Sequence, residues 1–550
     1  MDEVNDTAKN VVVVVGEEDI QPVVVDPEDY DIDLVNNNIP EEEDGKAPEE
    51  SIIQQLLGTP YASPLPPFVF WIECICIAIQ SILLSFFSLG YLNVLYEVPK
   101  IWMSIGNDEN NIYPTDPSTT TFLSGQPIWI AIGCITGLIV GILKAYIFKF
   151  EEYEGFLEYL MNLGEDGCPL DCLKVTITCL ISLMGNASVG PESGLGAACA
   201  GMSIIYARGV NSICRRVQSW TVSDSGGDDV NEDEENGTAN ETNTNKQEIE
   251  DNEKIRSKLI VLSCMTAAFS TILPTPATAI LLCIELPGFE TLSKKHGLLY
   301  MKTIAQLTIS GTLSYWIFDR WYGNTYLPSV PNIPGYIPKF ESYDTPLAAG
   351  IGLMGSILAL SYLLIAGIVK ACTSKAKAFL DEKLNSKIRI VIISTIGGTL
   401  FGTLGYIFPL TLGDGSYQLG TIFGTAGSNI STSVLIASSF AKMLTYWISE
   451  ETGMVGGLFY PMLLIGSMCG RVIVNEFGTS WATTLACSLV ALPAAICPGP
   501  LTLMMLGIST FNLSSRGGIP VLVCTITAHV LFVGLGIPQK LMSKGSKKTQ

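Results

Sequence analysis

Histidine is nearly absent from this chain of 550 residues, which contains only His296 and His529. That leaves little for a histidine-based metal site or a catalytic triad. The chain also lacks Gly-x-Ser-x-Gly and His-x-x-x-His motifs, and its fifteen cysteines form no Cys-x-x-Cys pair. Isolated cysteines in apolar segments usually behave as small hydrophobic residues. We therefore expect no disulfides, metal or cofactor, and we expect that the chain is not an enzyme.

Charge is also scarce, because only 15% of the residues are Asp, Glu, Lys or Arg, against roughly 25% in soluble proteins. Long apolar stretches take its place, and several contain Gly or Pro breaks that leave pieces too short to span a membrane alone. This pattern predicts an all-α polytopic membrane protein with interrupted helices. The apolar stretches lie roughly at 68–96, 127–148, 173–213, 258–287, 300–318, 345–371, 388–408, 430–474 and 480–538.

The net charge of −22 comes from two short segments. Residues 1–50 contain seventeen acidic and two basic residues, and residues 221–253 contain twelve acidic residues and one lysine. Such composition is typical of disorder. Because Lys and Arg concentrate in cytoplasmic loops, the basic turns at 208–216, 293–296 and 370–389 predict cytoplasmic termini. The sequence does not indicate which membrane holds the protein.

These signals divide the chain into five parts. We predict an acidic disordered cytoplasmic tail, a first half of the membrane domain with an acidic disordered cytoplasmic insertion at 217–255, an extracytoplasmic linker, a second half and a basic cytoplasmic tail. In that order the parts span residues 1–55, 56–320, 321–344, 345–540 and 541–550.

One polar break, Gly185–Gly196, interrupts an apolar region. Irregular backbone at membrane depth survives only where protein buries it or water reaches it. Pro191 suits the first position of a new helix, whose free amides would form an anion site beside Glu192. An ionisable residue in a membrane segment is functional by default. The alternative is a kinked helix whose Glu192 caps only its own first turn.

The two halves of the chain contain similar motifs. Pro274–Leu282 and Pro498–Leu506 both read Pro-x-Pro-x-Thr-x-x-x-Leu, and the break at Val189–Glu192 has a counterpart at Val455–Pro461. The two offsets differ by about the length of the acidic insertion, which interrupts only the first half. Transporters built from two repeats place their site where broken helices from both halves meet. Chance similarity of short Pro-rich helices is the alternative.

At these residues the chain resembles the CLC family of chloride channels and transporters. Gly457–Pro461 is similar to the family's second anion-binding signature, and Gly190–Glu192 is similar to the first, without the usual basic residue. Gly397–Gly415 resembles the family's glycine-rich helix and following turn, and Ala267–Glu285 resembles the helix at its dimer interface. The resemblance covers roughly 65–545.

This resemblance implies an inverted repeat of many tilted helices, a homodimer with one pore per subunit, and transport of chloride or a similar small anion, with H⁺ as a second candidate substrate. It implies a bilayer environment and no nucleic acid. Glu192 would be the gating glutamate that competes with the anion, and Glu285 is a candidate for the proton path. The implied anion-binding residues are Gly190, Pro191, Glu192, Ser193, Gly194, Gly457, Leu458, Phe459, Tyr460 and Pro461.

The chain departs from the family pattern at several positions. The segment Phe148–Gly155 lacks the serine of the inner anion site, Lys540 replaces the central tyrosine, and Leu286 replaces the inner proton glutamate. The last difference favours a channel or a weakly coupled exchanger over a fully coupled one. The nucleotide-binding CBS modules of many eukaryotic members are also missing, so we expect no ATP regulation of that kind.

Functions from other classes have weaker signals in the sequence. A cation or organic-solute transporter reusing the fold is suggested by Glu450, Glu451 and the acidic segment 150–158, because acidic side chains favour cations and repel anions. An intramembrane enzyme would need catalytic motifs that the chain lacks. A purely structural membrane protein would not need two polar breaks at matched positions.

Overall fold

A computed structural model describes residues 67–104, 121–149, 168–224, 238–285, 297–323, 326–327, 341, 343–497 and 499–534. These residues form fifteen α-helices and no β-strands, which confirms the predicted all-α class. The tails predicted at 1–55 and 541–550 lie outside the described residues, as does most of the 321–344 linker.

The first half of the membrane domain contains seven helices among the described residues. They are α1 (Pro67–Ser104), α2 (Ile128–Ile142, continued by a π-helical segment Leu143–Phe148), α3 (Pro169–Met184), α4 (Glu192–Asp224), α5 (Thr238–Ile272), α6 (Pro276–Glu285) and α7 (Gly297–Tyr322).

The second half contains eight more. They are α8 (Asp344–Asp381), α9 (Ser386–Ile407), α10 (Ser416–Phe423), α11 (Thr432–Glu451), α12 (Phe459–Phe477), α13 (Trp481–Ile496), α14 (Pro500–Thr510) and α15 (Ser515–Gly534).

Six of the described helical segments are long and apolar enough to cross a bilayer, by length and composition. They lie at Phe70–Pro99, Ile128–Phe148, Glu253–Ile272, Asp344–Asp381, Ser386–Ile407 and Ser515–Gly534. Between them lie short apolar helices, such as α6, α13 and α14, that are too short to span on their own. A short helix can sit at membrane depth only where neighbouring protein covers its ends. The sequence prediction of interrupted helices is therefore confirmed.

Helices α2 and α9 pack through glycines. A Cβ at Gly133 would overlap the carbonyl oxygen of Gly398, and a Cβ at Gly137 would overlap the carbonyl oxygen of Ser394. In lipid, helix association relies on close van der Waals contact, which small residues permit. The glycines of the sequence motif 397–405 therefore bring one helix from each half into direct contact.

The two Pro-x-Pro motifs form short helices that pack antiparallel. Helices α6 and α14 each begin at the second proline of the motif; Pro498 lies outside the described residues. The Thr275 hydroxyl near the start of α6 lies 3.4 Å from the Ser509 hydroxyl near the end of α14. At the other end, the Leu501 amide donates to Glu285 at 2.9 Å. This antiparallel pairing is the arrangement that an inverted repeat requires.

The two ends of the acidic insertion predicted at 217–255 are helical. Helix α4 continues through 217–224, and α5 already includes 238–255. Helix propagation costs little once a buried segment has nucleated it. Arg215 also forms an ion pair with Glu253 across these two helices. Only residues 225–237 of the insertion lie outside the described part.

Candidate functional site

The first polar break joins α3 to α4. Asn186 has φ +61°, a left-handed conformation that asparagine adopts more readily than most residues. It turns the chain after α3, and α4 begins at Glu192, one residue later than predicted for Pro191. The carbonyl of Pro191 accepts the Leu195 amide at 3.0 Å, which is the first turn of α4. The break is buried throughout.

The second polar break joins α11 to α12. Gly453 has φ +103°, which ends α11 in a conformation that favours glycine. Leu458 precedes α12, which begins at Phe459, and the side chain of Leu458 forms no capping hydrogen bond. The N-terminal amides of an α-helix have no partner within the helix, and they carry partial positive charge. This helix end therefore offers donors to an anionic group.

The two breaks meet each other. Gly190 donates its amide to the carbonyl of Gly457 at 2.7 Å, and Gly457 donates to the carbonyl of Gly190 at 2.8 Å. The hydroxyls of Thr445 and Ser188 lie 3.1 Å apart beside this bridge. The breaks of the two halves therefore form a single structural unit.

The carboxylate of Glu192 lies between these two breaks. Tyr460, in the first turn of α12, donates its amide to Glu192 Oε1 at 2.9 Å. A Cβ at either Gly190 or Gly457 would overlap Glu192 Oε2. Only glycine fits at both positions, because a larger side chain would overlap the Glu192 carboxylate. Helix α4 supplies the carboxylate of Glu192, and α12 supplies the amide donor of Tyr460.

The other oxygen of Glu192 is buried and has no hydrogen-bond partner among the described residues. The whole side chain is only 2% exposed. A buried carboxylate with a single hydrogen bond is poorly compensated for the loss of water. Such a group is held in place chiefly by the positive ends of the two helices.

The remaining predicted residues occupy different parts of the unit. The Ser193 hydroxyl is buried without a partner among the described residues. Gly194 packs so closely against Tyr91 and Cys179 that a Cβ there would overlap the Tyr91 hydroxyl. Pro191 and Leu458 precede the two helices, and Phe459 and Pro461 lie in the first turn of α12. Their assignment as anion-binding residues stays a prediction.

A buried lysine close to this unit was missed by the sequence reasoning. Lys442 on α11 is fully buried and donates to the carbonyls of Thr411 at 3.0 Å and Gly413 at 2.5 Å. Gly413 in turn donates its amide to the carbonyl of Asn186 at 3.0 Å. The only signal for Lys442 in the sequence is a single cation within an apolar helix.

Asp414 directly follows residues 411–413, whose carbonyls at Thr411 and Gly413 accept hydrogen bonds from Lys442. Its carboxylate accepts the Ser416 amide at 3.1 Å, the Ser416 hydroxyl at 2.9 Å and the Tyr326 hydroxyl at 3.0 Å. The ring of Tyr326 packs edge-to-face on Tyr460, with centroids 5.5 Å apart. Asp414 is therefore well satisfied, unlike Glu192.

Glu285, the candidate for the proton path, holds the start of α14. Its carboxylate accepts the amides of Leu501 at 2.9 Å and Thr502 at 2.8 Å, and the Thr502 hydroxyl at 2.6 Å. These are the bonds of a helix N-cap supplied by another helix. The role of Glu285 in proton transfer stays a prediction, and its observed contacts are those of a structural residue.

The departures from the family pattern fall mostly outside the described part. Leu286, Lys540 and residues 150–155 lie outside the described residues. The π-helical segment that ends α2 stops at Phe148, and Lys149 has φ +56°. Among the described residues, no group of three His, Cys, Asp or Glu side chains could hold a metal ion.

Comparison with known proteins gives the family of this chain. Residues 137–532 match the family described as voltage gated chloride channel, which is well over half of the chain. The chain belongs to the CLC family. CLC proteins are channels and transporters of anions, not enzymes, so the resemblance noted from the sequence and the prediction against an enzyme are both confirmed.

Two curated relatives are bacterial proteins named H(+)/Cl(−) exchange transporter ClcA. The one from Vibrio campbellii is 28% identical over 136 residues, which cover 24% of this chain and 27% of the relative. The one from Vibrio vulnificus is 27% identical over 150 residues, covering 26% and 32%. The alignments thus span about a third or less of each relative's length.

Solved CLC structures share the fold at low sequence identity. A slow cyanobacterial Cl⁻/H⁺ antiporter superposes with a TM-score of 0.63 at 14% identity, covering 88% of this chain and all of that one. A CLC-type fluoride/proton antiporter gives a TM-score of 0.53 at 14% identity, covering 85% and 97%. At such identities the likeness establishes the fold alone.

Proposed function

We propose that this CLC protein moves a small anion, chloride by default, along a path in which the Glu192 carboxylate competes with the anion. The observation that supports this proposal is the bond from the Tyr460 amide at the start of α12 to Glu192 Oε1, 2.9 Å long. A chloride ion at that position would accept a hydrogen bond from the same amide.

The competition follows from the charges at the two helix ends. The N-terminus of α12 attracts one negative group, and a carboxylate and an anion in the same place exclude each other. Protonation of Glu192 removes its charge, so the amide of Tyr460 then gains more from a chloride ion than from the neutral acid. Anion entry and proton binding are thereby linked at one residue.

Proton-coupled exchange is the mode of transport that we favour. A carboxyl that gives up its place to an anion when it is protonated can carry a proton along the anion path. The two relatives compared above carry the name of H⁺/Cl⁻ exchangers, and two similar structures are of proton antiporters. A passive channel is the other outcome that the experiment distinguishes.

Flux measurements in liposomes test the proposal. The purified full chain is reconstituted, and chloride efflux and proton uptake are recorded together under an outward chloride gradient. We expect chloride efflux that drives protons uphill, and we expect Glu192→Ala to move chloride without dependence on pH. Glu382→Ala, which removes an exposed carboxyl just after the end of α8, is the matched control.

Three results would separate the alternatives. Chloride movement without uphill protons would establish a channel. Current carried by cations and independent of chloride would contradict anion transport. An unchanged pH dependence of transport in Glu192→Ala would show that Glu192 does not gate the anion path.

The assembly and orientation of the protein are further parts of the proposal. The CLC fold supports a homodimer in which each subunit has its own anion path, and the basic residues of 370–389, where α8 ends and α9 begins, support cytoplasmic termini. The mass of the solubilised protein, measured by light scattering, tests the dimer. Access of a protease to tags at the two termini in intact cells tests the orientation.

A further inference from the structure

Three aromatic side chains form a tight cluster between α8 and α11. The ring of Tyr362 on α8 stacks on Tyr446 of α11, with centroids 5.7 Å apart. Trp447 packs 5.1 Å from both rings. Tyr362 and Tyr446 are each 1% exposed. The cluster therefore lies inside the domain.

This cluster contains polar groups without partners. The Tyr362 hydroxyl and the Trp447 ring N–H are buried and form no hydrogen bond among the described residues. Leaving a buried donor unsatisfied is destabilising, so a purely structural cluster would favour phenylalanine at position 362. A buried polar group without a partner in the protein can bind a water molecule or pass a proton.

A carboxyl lies at one end of the cluster. Glu450 follows Tyr446 by four positions on α11, so the two side chains lie on the same helix face, and part of Glu450 is accessible at the surface of the domain. The other charged groups that act on Glu450 are Glu451 and Lys370. Three residues after Glu450, the carbonyl of Gly453 accepts a hydrogen bond from buried Lys144 at 3.3 Å.

The polar break that holds Glu192 contacts the same helix. Thr445, next to Tyr446, contacts Ser188 of the first polar break. Helix α11 thus carries the Glu450 carboxyl and the Tyr446 hydroxyl, and through Thr445 it contacts the polar break that holds the buried Glu192.

We propose that Glu450, Tyr446 and Tyr362 carry protons between the solvent beside the basic segment 370–389, where α8 ends and α9 begins, and the Glu192 carboxylate. The proposal depends on the exchange function above. A proton leaves the Glu450 carboxyl, and each hydroxyl takes up one proton at its oxygen as it releases its own, directly or through water. The last proton binds a Glu192 carboxylate oxygen, and Glu450 regains a proton from solvent. No electron is transferred.

This route assigns the inner acid to α11. Glu285 is less suited to that role because three donors from α14 already bind its carboxylate. A proton on Glu285 would weaken the cap that these bonds provide. Glu450 caps no helix from another part of the chain, and it shares a helix face with Tyr446 on the helix that contacts the polar break of Glu192.

Paired fluxes of chloride and protons test the route. In Glu450→Gln we expect proton uptake to fall to the level of protein-free liposomes, with chloride efflux retained. Glu451→Gln, which removes the same charge one position away, should keep the proton-to-chloride ratio of the parent. Tyr362→Phe, which removes one hydroxyl and keeps the ring, should lower the ratio as well.

Each result has one meaning. If Glu450→Gln keeps the parent ratio, or if Glu451→Gln loses it equally, the route is wrong and anion transport stands. If the parent moves chloride without protons, the route is likewise wrong. If the parent moves no anion, the proposed function itself fails. Should Glu450→Gln not fold, Tyr362→Phe decides: an unchanged ratio overturns the route.

Discussion

Removal of the Glu192 carboxylate should tighten anion binding to this protein. In the structure the carboxylate takes the Tyr460 amide at the start of α12, so an incoming anion must displace it before binding there. Alanine at 192 leaves both helix ends in place and removes only the competitor. We therefore expect Glu192→Ala to bind chloride more tightly than the parent, at the same pH and ionic strength.

The size of this effect follows from the hydrogen bond that an anion must break in the parent. A hydrogen bond to a charged group contributes about 1.5–3 kcal/mol, and the carboxylate has one such bond from outside its own helix. That range corresponds to an affinity gain of roughly 10- to 100-fold. The unsatisfied second oxygen of Glu192 adds nothing to the competition, which keeps the expected gain at the value of a single bond.

Isothermal titration calorimetry of the purified protein in detergent measures this affinity directly. Glu382→Ala serves as the matched control, because it removes an exposed carboxyl from outside the site. Equal or weaker chloride binding by Glu192→Ala would show that the carboxylate does not occupy an anion site, and the reasoning above would be refuted.

Three further substitutions test the surroundings of the site. Gly457→Ala should displace the Glu192 carboxylate, because the new Cβ overlaps Oε2, and chloride efflux should lose most of its pH dependence. Lys442→Met leaves two buried carbonyls without their donor, and at about 1–3 kcal/mol for each it should lower the thermal midpoint clearly. Thr445→Val removes the hydrogen bond with Ser188, and a destabilisation of about 1 kcal/mol should give a smaller shift of the midpoint.

The controls for these substitutions use the same measurements. Gly350→Ala adds a methyl group with nothing within 4 Å, so it should leave transport as it is. Thermal midpoints are read from the fraction of detergent-solubilised protein that stays monodisperse after heating. A Gly457→Ala protein with the parent's pH dependence, or a Lys442→Met protein with the parent's midpoint, would contradict the described packing.

Local signals in the sequence predicted much of the architecture. The helix Ile128–Phe148 has the bounds that its apolar run predicts, if its π-helical end is included. Both polar breaks also fall where Gly and Pro interrupt apolar runs, because these residues affect the backbone at their own position. The short helices α6 and α14 begin at the prolines of the repeated motif for the same reason.

Contacts between distant segments could not be predicted in detail. Glu192 and Tyr460 are 268 positions apart, and only the packed fold brings the acid of one half to the amide of the other. Glu450 seemed from the sequence to be a charge that repels anions, because its helical neighbour Tyr446 and the facing Tyr362 could not be placed. The helical ends of the acidic insertion were missed because its composition resembles that of disordered chains.

Anomalous diffraction from bromide tests the central claim most directly, because it locates an anion without reference to transport. Crystals of the parent and of Glu192→Ala are grown in bromide at neutral pH. We predict an anomalous peak within hydrogen-bond distance of the Tyr460 amide in Glu192→Ala, and no peak there in the parent. A peak at that amide in both proteins, or in neither, would contradict the claim that Glu192 and the anion compete for one place.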